Sequence, residues 1–287
     1  MEQTRFVHHS LRSSRTLSSP LPPFLLLLLL LPLIAIHLAS AADGKPIFLY
    51  SRAFNAKGEA RYLPDGTFKP LLDRLGKEFD VRVHDKPLNS ETLAGVSVVL
   101  VANPSDKAVG NNPAPHHMDQ RDIEELTKFV RDGGALIVMG NQENHNLDVV
   151  DMNRLLKNFG LQFTNLYTDA KLLPVPKTTP VIGGLNWGYY TGNLVLVEQG
   201  HAAKPRGLVM NDLSIKPPKG DRDQSGALMA VAEPGKGRVI LATDSGWLAD
   251  FALEDKGLGG VILRGQENFE IFRRLSHWAA RSPVAHH

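Results

Sequence analysis

Two short apolar runs, Val96-Ser97-Val98-Val99-Leu100-Val101 and Ala135-Leu136-Ile137-Val138-Met139, are separated by one amphipathic stretch, and this arrangement constrains the chain more than any other feature. Runs so apolar suit strands covered on both faces, the situation of a parallel sheet. The stretch between them puts Ile123, Leu126, Phe129 and Val130 on one helical face, begins after Asp119, a good N-cap, and ends at Gly133. Neighbouring parallel strands require a crossover of this kind.

The alternation extends in both directions. Pro46 to Tyr50 reads as a first strand, Phe68, Leu71, Leu72, Leu75 and Phe79 as a helix face, and Val81-Arg82-Val83 as a second strand. Val150 to Phe159 reads as a helix closed by Gly160, and Leu161-Gln162-Phe163 as a short strand. The expected fold is therefore α/β, with a doubly wound, mostly parallel sheet of the flavodoxin-like kind, right-handed crossovers, and binding sites beyond the carboxyl ends of the strands. From about 165 to 226 the pattern weakens into a less regular insertion. Ala227 to Ala232 and Arg238 to Ala242 then flank Pro234-Gly235-Lys236-Gly237 as a hairpin, and a closing helix capped near Asn268 is expected to bury Ile271, Phe272, Leu275 and Trp278.

The first 41 residues follow another logic. Arg5, Arg12 and Arg15 precede the apolar run from Phe24 to Leu31, and Ala39-Ser40-Ala41 supplies a small-x-small cleavage site. The apolar stretch from Leu21 to Ile36 is 16 residues long and contains prolines, short of the roughly 20 that span a bilayer. Residues 1–41 are expected to be a cleaved signal peptide, with an uncleaved N-terminal anchor as the alternative, and residues 42–287 a single exported domain, periplasmic or extracellular. Cleavage takes three Arg from 32 basic residues and one Glu from 30 acidic ones, leaving 29 of each. A neutral domain lacks the basic footprint of a nucleic-acid binder. The chain has no cysteine, so it has neither disulfides nor a thiol nucleophile.

Polar residues gather where strands end. Met139 is followed by Gly140-Asn141-Gln142-Glu143-Asn144-His145-Asn146. Gln142, Glu143, Asn144 and His145, together with Asp85, Asn103, His117 and Asp244, are expected to line a pocket, because each ends a strand or belongs to a loop leaving one. Amide side chains offer donors and an acceptor without charge and suit a polyol or sugar. Trp247 either adds a stacking platform or belongs to the core. Asn144 or Asn146 alternatively caps the following helix. The irregular stretch Asn103 to Met118, ending in His116-His117, reads as a lid or binding loop, or else as plain surface connection.

Other chemistries find weaker support. A metal set drawn from His116 or His117, His145 and one of Asp85, Glu143 and Asp244 has no diagnostic spacing, and neither a P-loop nor Gly-x-Gly-x-x-Gly is present. No metal or cofactor is expected. Ser245 with His145, or the carboxylates as acid and base, would serve hydrolysis. Thr243-Asp244-Ser245-Gly246-Trp247 is not the Gly-x-Ser-x-Gly elbow that exposes a nucleophile, however, and Asp244 and Ser245 are expected to satisfy backbone amides at the strand end.

The strand ending in Met139-Gly140, the segment Thr179-Pro180-Val181-Ile182-Gly183-Gly184-Leu185, and the tail from Gly235 to Ser245 followed by Trp278 resemble the class I glutamine amidotransferase-like superfamily. Within it, the chain is most similar to the branch of gliding-motility GldG-type and ThuA-like proteins, over most of residues 46–281. The resemblance implies an α/β domain with its site after the Met139-Gly140 strand. Glutaminases of the superfamily carry a Gly-x-Cys-x-Gly elbow there, and the matching positions are Gly140, Asn141, Gln142, Glu143 and Asn144. The family's later His-Pro-Glu falls near Thr243-Asp244-Ser245. The resemblance thus implies loss of glutaminase chemistry. The expected function is a binding or interaction module for a carbohydrate, another small polar ligand or a protein partner, with a sugar hydrolase using carboxylate and histidine groups as the alternative. Mass analysis of material from an exporting host should find a new N-terminus near Ala42; a full-length chain held in membranes would establish the anchor instead.

Overall fold

The computed structural model describes residues 44–168, 171–214, 226–254 and 265–284. The expected signal peptide lies outside them. The strands are β1 (Ile47–Ser51), β2 (Asp80–His84), β3 (Val96–Ala102), β4 (Ala135–Gly140), β5 (Leu161–Thr168), β6 (Leu172–Pro174), β7 (Asn186–Gly188), β8 (Gly192–Val197), β9 (Arg206–Met210), β10 (Ala227–Ala232) and β11 (Arg238–Thr243). The helices are α1 (Lys69–Leu75), α2 (Gln120–Asp132), α3 (Val149–Leu156), α4 (Asp250–Leu253) and α5 (Gly265–Ala280). The main sheet has the order β2-β1-β3-β4-β11-β10-β8-β5, with β9 also beside β10, while β6 and β7 form a separate ribbon. From β2 to β11 every neighbouring pair is parallel. Beyond β11 the pairs are antiparallel.

This is the expected α/β doubly wound arrangement, and period-two alternation explains it. On β1, Phe48 and Tyr50 enter one core with Leu71 and Leu75 of α1 and Ile271, Phe272 and Leu275 of α5. Leu49 points the other way, to Ile123, Leu126 and Val130 of α2 and Met152, Leu155 and Leu156 of α3. Every residue of β4 is buried because it is central and covered on both faces. Chain order reverses between β1 and β3, which makes their carboxyl ends the switch point of the sheet.

Local chemistry sets the helix ends. Asp119 caps α2 in a reciprocal box with Asp122, and Gly133 closes it at φ 128°. For α3 the cap is Asp148, whose Oδ1 accepts from the Asp151 N–H at 3.0 Å. Neither Asn144 nor Asn146 has that role; Asn146 takes a left-handed conformation at φ 61° and its amide holds both backbone groups of Lys107, at 2.8 and 3.0 Å. Asn268 is likewise not an end cap. It lies inside α5 and staples Gly188 and Trp247 through bonds of 2.8 to 3.0 Å. Trp278 is only partly buried, with the Arg238 guanidinium 4.4 Å from its ring centre.

The segment from 165 to 226 contributes β6 to β9 and the outer half of β5. Its strands are as short as three residues, and Asn165 at φ 59° interrupts β5, so no long periodic run exists to be seen. Among the described residues no helix is long and apolar enough to cross a membrane.

The β10–β11 hairpin packs its turn against α2. A Cβ on Gly237 would stand 1.8 Å from the Val130 carbonyl oxygen and 2.5 Å from that of Gly134, both backbone atoms. Gly237→Ala should therefore lower unfolding free energy by about 1–3 kcal/mol or more. Urea denaturation checks this, with Gly44→Ala, where nothing lies within 4 Å, as the neutral control.

Candidate functional site

Parallel pairing brings the residues after β1, β3, β4 and β11 to one edge of the sheet. Asn141, the first residue beyond β4, is bonded to four other segments there. Its N–H donates to Asn103 Oδ1 at 3.0 Å, its Nδ2 to the Tyr62 hydroxyl at 2.8 Å, and its carbonyl accepts from Asn193 Nδ2 at 2.9 Å. Its Oδ1 accepts from the backbone N–H of Ser245. Asn103 in turn donates through Nδ2 to the His145 carbonyl at 3.1 Å and fixes the turn carrying Glu143, Asn144 and His145. Such buried polar groups are costly unless bonded, about 1–3 kcal/mol for each left unpaired, so the edge is wired internally.

Asp244 follows β11 at φ 61° and is fully buried. Its Oδ1 accepts from Gly246 N at 2.6 Å and its Oδ2 from Tyr190 N at 3.0 Å. Burial pushes its carboxyl up to about 7, against these amides and Lys171, which favour the charged form. Gln142 is buried and donates to Thr191 Oγ1 at 3.0 Å, which donates to the Thr168 carbonyl at 3.1 Å. Glu143 and Asn144 are exposed, and His145 is half-buried. Burial, then the charge of Arg61, lowers the His145 pKa, and its Nδ1 is enclosed without a hydrogen-bond partner among the described residues.

The expected pocket residues thus separate. Asn103, Gln142 and Asp244 meet at the edge as parts of its internal wiring, while Glu143, Asn144 and His145 form its solvent-facing rim. Asp85 is exposed after β2, which lies at the flank of the sheet, separated from β3 by β1. Trp247 is core, its ring centre 5.3 Å from Trp187 and 6.0 Å from Phe272, and offers no platform. Its neighbour Ser245 has an enclosed hydroxyl with no hydrogen-bond partner among the described residues, so no Ser245–His145 pair forms. The two loop histidines turn elsewhere. His116 Nε2 lies 2.8 Å from Asp122, and His117 Nδ1 lies 2.9 Å from Asp148 Oδ2. Cavities of about 270, 310 and 360 Å³ lie beside β3 and α2, over β8 and β9, and on the outer side of α2, and none is lined by an expected site residue.

Asn141, Tyr62, Thr191 and Asn193 were not expected as site residues. Only Asn141 carried a signal, as the first polar position after a wholly apolar strand.

No protein-family model and no curated protein matches the chain. Among solved structures it is similar to the mmIFT52 N-terminal domain, at 16% identity and a TM-score of 0.61, over 84% of this chain and 100% of that one. It also matches a cold-adapted beta-galactosidase from Rahnella sp. R3, at 12% identity and a TM-score of 0.49, over 84% of this chain and 32% of that one. A GH42 beta-galactosidase from G. stearothermophilus gives 13% and 0.46, over 84% and 31%. The chain spans about a third of the length of these two enzymes. At such identities the likeness to the mmIFT52 domain is one of fold.

An acid that holds its proton more tightly folded than unfolded, about 7 for Asp244 against an ordinary value near 3.9, stabilises the fold at low pH. That contribution is complete below about pH 4, declines as pH rises to about 7, and is then flat. Asp244→Asn keeps one acceptor but turns an NH₂ toward backbone N–H groups, which costs about 1–3 kcal/mol. Urea midpoints between pH 4.5 and 7.5 should show wild type more stable at the acid end, with its advantage over Asp244→Asn shrinking as pH rises.

Proposed function

We propose that this chain is an exported binding or interaction module of the amidotransferase-like kind, without glutaminase activity, that recognises a carbohydrate or similar polyol at the carboxyl edge of its sheet. One observation carries the reading. The groups that an acid–base hydrolase would bring to one reacting bond do not converge: Glu143 and His145 stand on the rim, while Asp244 is buried behind it and spends both oxygens on backbone N–H groups, and among the described residues no hydrogen bond joins it to either. Hydrolysis needs such groups within hydrogen-bonding reach of one reacting bond.

The position where a glutaminase elbow would present its nucleophile supports the same reading. Gln142 stands there, buried against Thr191. The rim that remains open is polar and carries the weakly basic His145, the amide of Asn144 and the carboxylate of Glu143, groups that exchange several hydrogen bonds with hydroxyls at little cost in desolvation. Its backbone is held by Asn103 and Asn146, so the rim is ordered before any ligand arrives.

Thermal unfolding of residues 42–287 against a panel of neutral mono- and oligosaccharides tests this. A sugar present at 100 times its Kd stabilises by about 2.7 kcal/mol, and the Asn144→Ala/His145→Ala double variant should lose that shift while its ligand-free Tm stays unchanged. Turnover of aryl glycosides by the wild type that disappears in Glu143→Gln would overturn the binding role in favour of a hydrolase.

A further inference from the structure

We propose that His117, Asp148 and Asp151 form a binding site for a first-row divalent cation such as Zn²⁺ or Co²⁺, which clips the end of the long loop after β3 to the start of α3. His117 Nδ1 lies 2.9 Å from Asp148 Oδ2 and 3.5 Å from Asp151 Oδ2, and all three ligand atoms lie within 4.8 Å of one another. Ligands held about 2.1 Å from one ion stand about 3.0 Å apart at octahedral right angles and about 3.4 Å apart at tetrahedral ones. The separations of 2.9 and 3.5 Å lie about 0.1 Å outside this range at either end, and the remaining pair of ligand atoms, within 4.8 Å of each other, would draw together as the ion binds.

The carboxylates are also set in advance, each through its other oxygen. Asp148 Oδ1 is fixed by the Asp151 N–H at 3.0 Å, and Asp151 Oδ1 by Arg154 Nη1 at 3.1 Å. Arg154 also donates to the Met118 carbonyl, at 3.3 Å, beside His117. Both Oδ2 atoms are thereby left turned toward the imidazole. Partners that orient ligands in this manner are what metal centres require outside the ligands themselves. An imidazolium held between two carboxylates and a cation held by imidazole and two carboxylates are alternatives for the same three atoms.

The donor set selects the ion. One imidazole nitrogen and two carboxylate oxygens suit Zn²⁺, Co²⁺ or Mn²⁺, while Ca²⁺ requires six to eight oxygens. The Asp148 and Asp151 side chains are 6% and 14% exposed, and that of His117 is 46% exposed, so an ion would be gripped from below and hydrated from outside. The start of the loop is already tied to the same turn: Asp148 N donates to the Pro104 carbonyl at 2.8 Å and Ser105 bridges to Leu147. A cation at His117 would fasten its other end, closing the loop at both ends beside Glu143, Asn144 and His145.

The test is titration of the full-length chain with Co²⁺, read by its visible d–d bands, and displacement by Zn²⁺. One equivalent should bind, with affinity falling at least about tenfold in His117→Gln and in Asp148→Asn. Asp148→Asn keeps the capping oxygen, and far-ultraviolet circular dichroism of both variants should match wild type. His116→Ala, which alters the neighbouring ring that faces Asp122 instead, should bind as wild type does. Absence of saturable binding in the wild type would overturn the proposal. So would binding that survives both ligand substitutions, which would place the ion elsewhere, for instance on the terminal His286-His287 pair.

Discussion

Five stretches of chain meet at one residue, Asn141, two through its side-chain amide and two through its backbone. Asn141 receives or gives hydrogen bonds to Tyr62, Asn103, Asn193 and Ser245, which lie in the loops after β1, β3 and β11 and on β8. It is 3% exposed, so water cannot replace these partners. The rest of the carboxyl edge depends on this residue: the parallel half of the sheet meets the antiparallel half through Asn193, and the turn of Glu143 to His145 is positioned one bond further out, through Asn103. A shorter or apolar side chain would leave the Ser245 N–H and the Tyr62 hydroxyl without this partner, while the bonds to Asn103 and Asn193, made by the backbone, would remain.

The strain at this edge is of a piece with that wiring. Tyr62, Asn103, Asn146 and Asp244 all adopt positive φ, between 43° and 63°. For residues other than glycine the left-handed region costs roughly 1–2 kcal/mol, and asparagine and aspartate tolerate it best because their side chains can bond locally. Three of the four are of those types. Each also makes side-chain bonds to other segments, through which the network holds the strained backbone in place.

The three-layered α/β fold was legible because its signals are local and repeated: apolar runs at β3 and β4, the Asp119 and Gly133 boundaries of α2, and the hairpin turn around Gly235. The stretch from 165 to 226 was illegible for the converse reason, since β6 to β9 are strands of three to six residues and Asn165 interrupts the outer half of β5, so no period builds up. The polar stretch after β4 lies at the carboxyl edge of the parallel strands, as a strand read there implies, yet strand order decides which strand ends meet, and sequence does not reveal strand order. Asp85 follows the flanking β2 and so stands apart, although it ends a strand as surely as Asn103 does. Burial decides the remainder. Gln142 and Asp244 turn inward because Thr191 and the Tyr190 and Gly246 amides are there to receive them, and those partners sit in stretches without pattern.

The place of β11 in the sheet has a consequence for how the chain reaches its native state. Ala135 of β4 pairs with Arg238 of β11, a separation of about a hundred residues that makes this contact late and entropically expensive. During synthesis from the N-terminus, β1 to β4 emerge first, and the apolar strand at the centre of the finished sheet is for that interval an open edge. An open apolar edge is a template for pairing with another chain. The vulnerable species is therefore the nascent one, and it stays so until the last hairpin has been made and inserted.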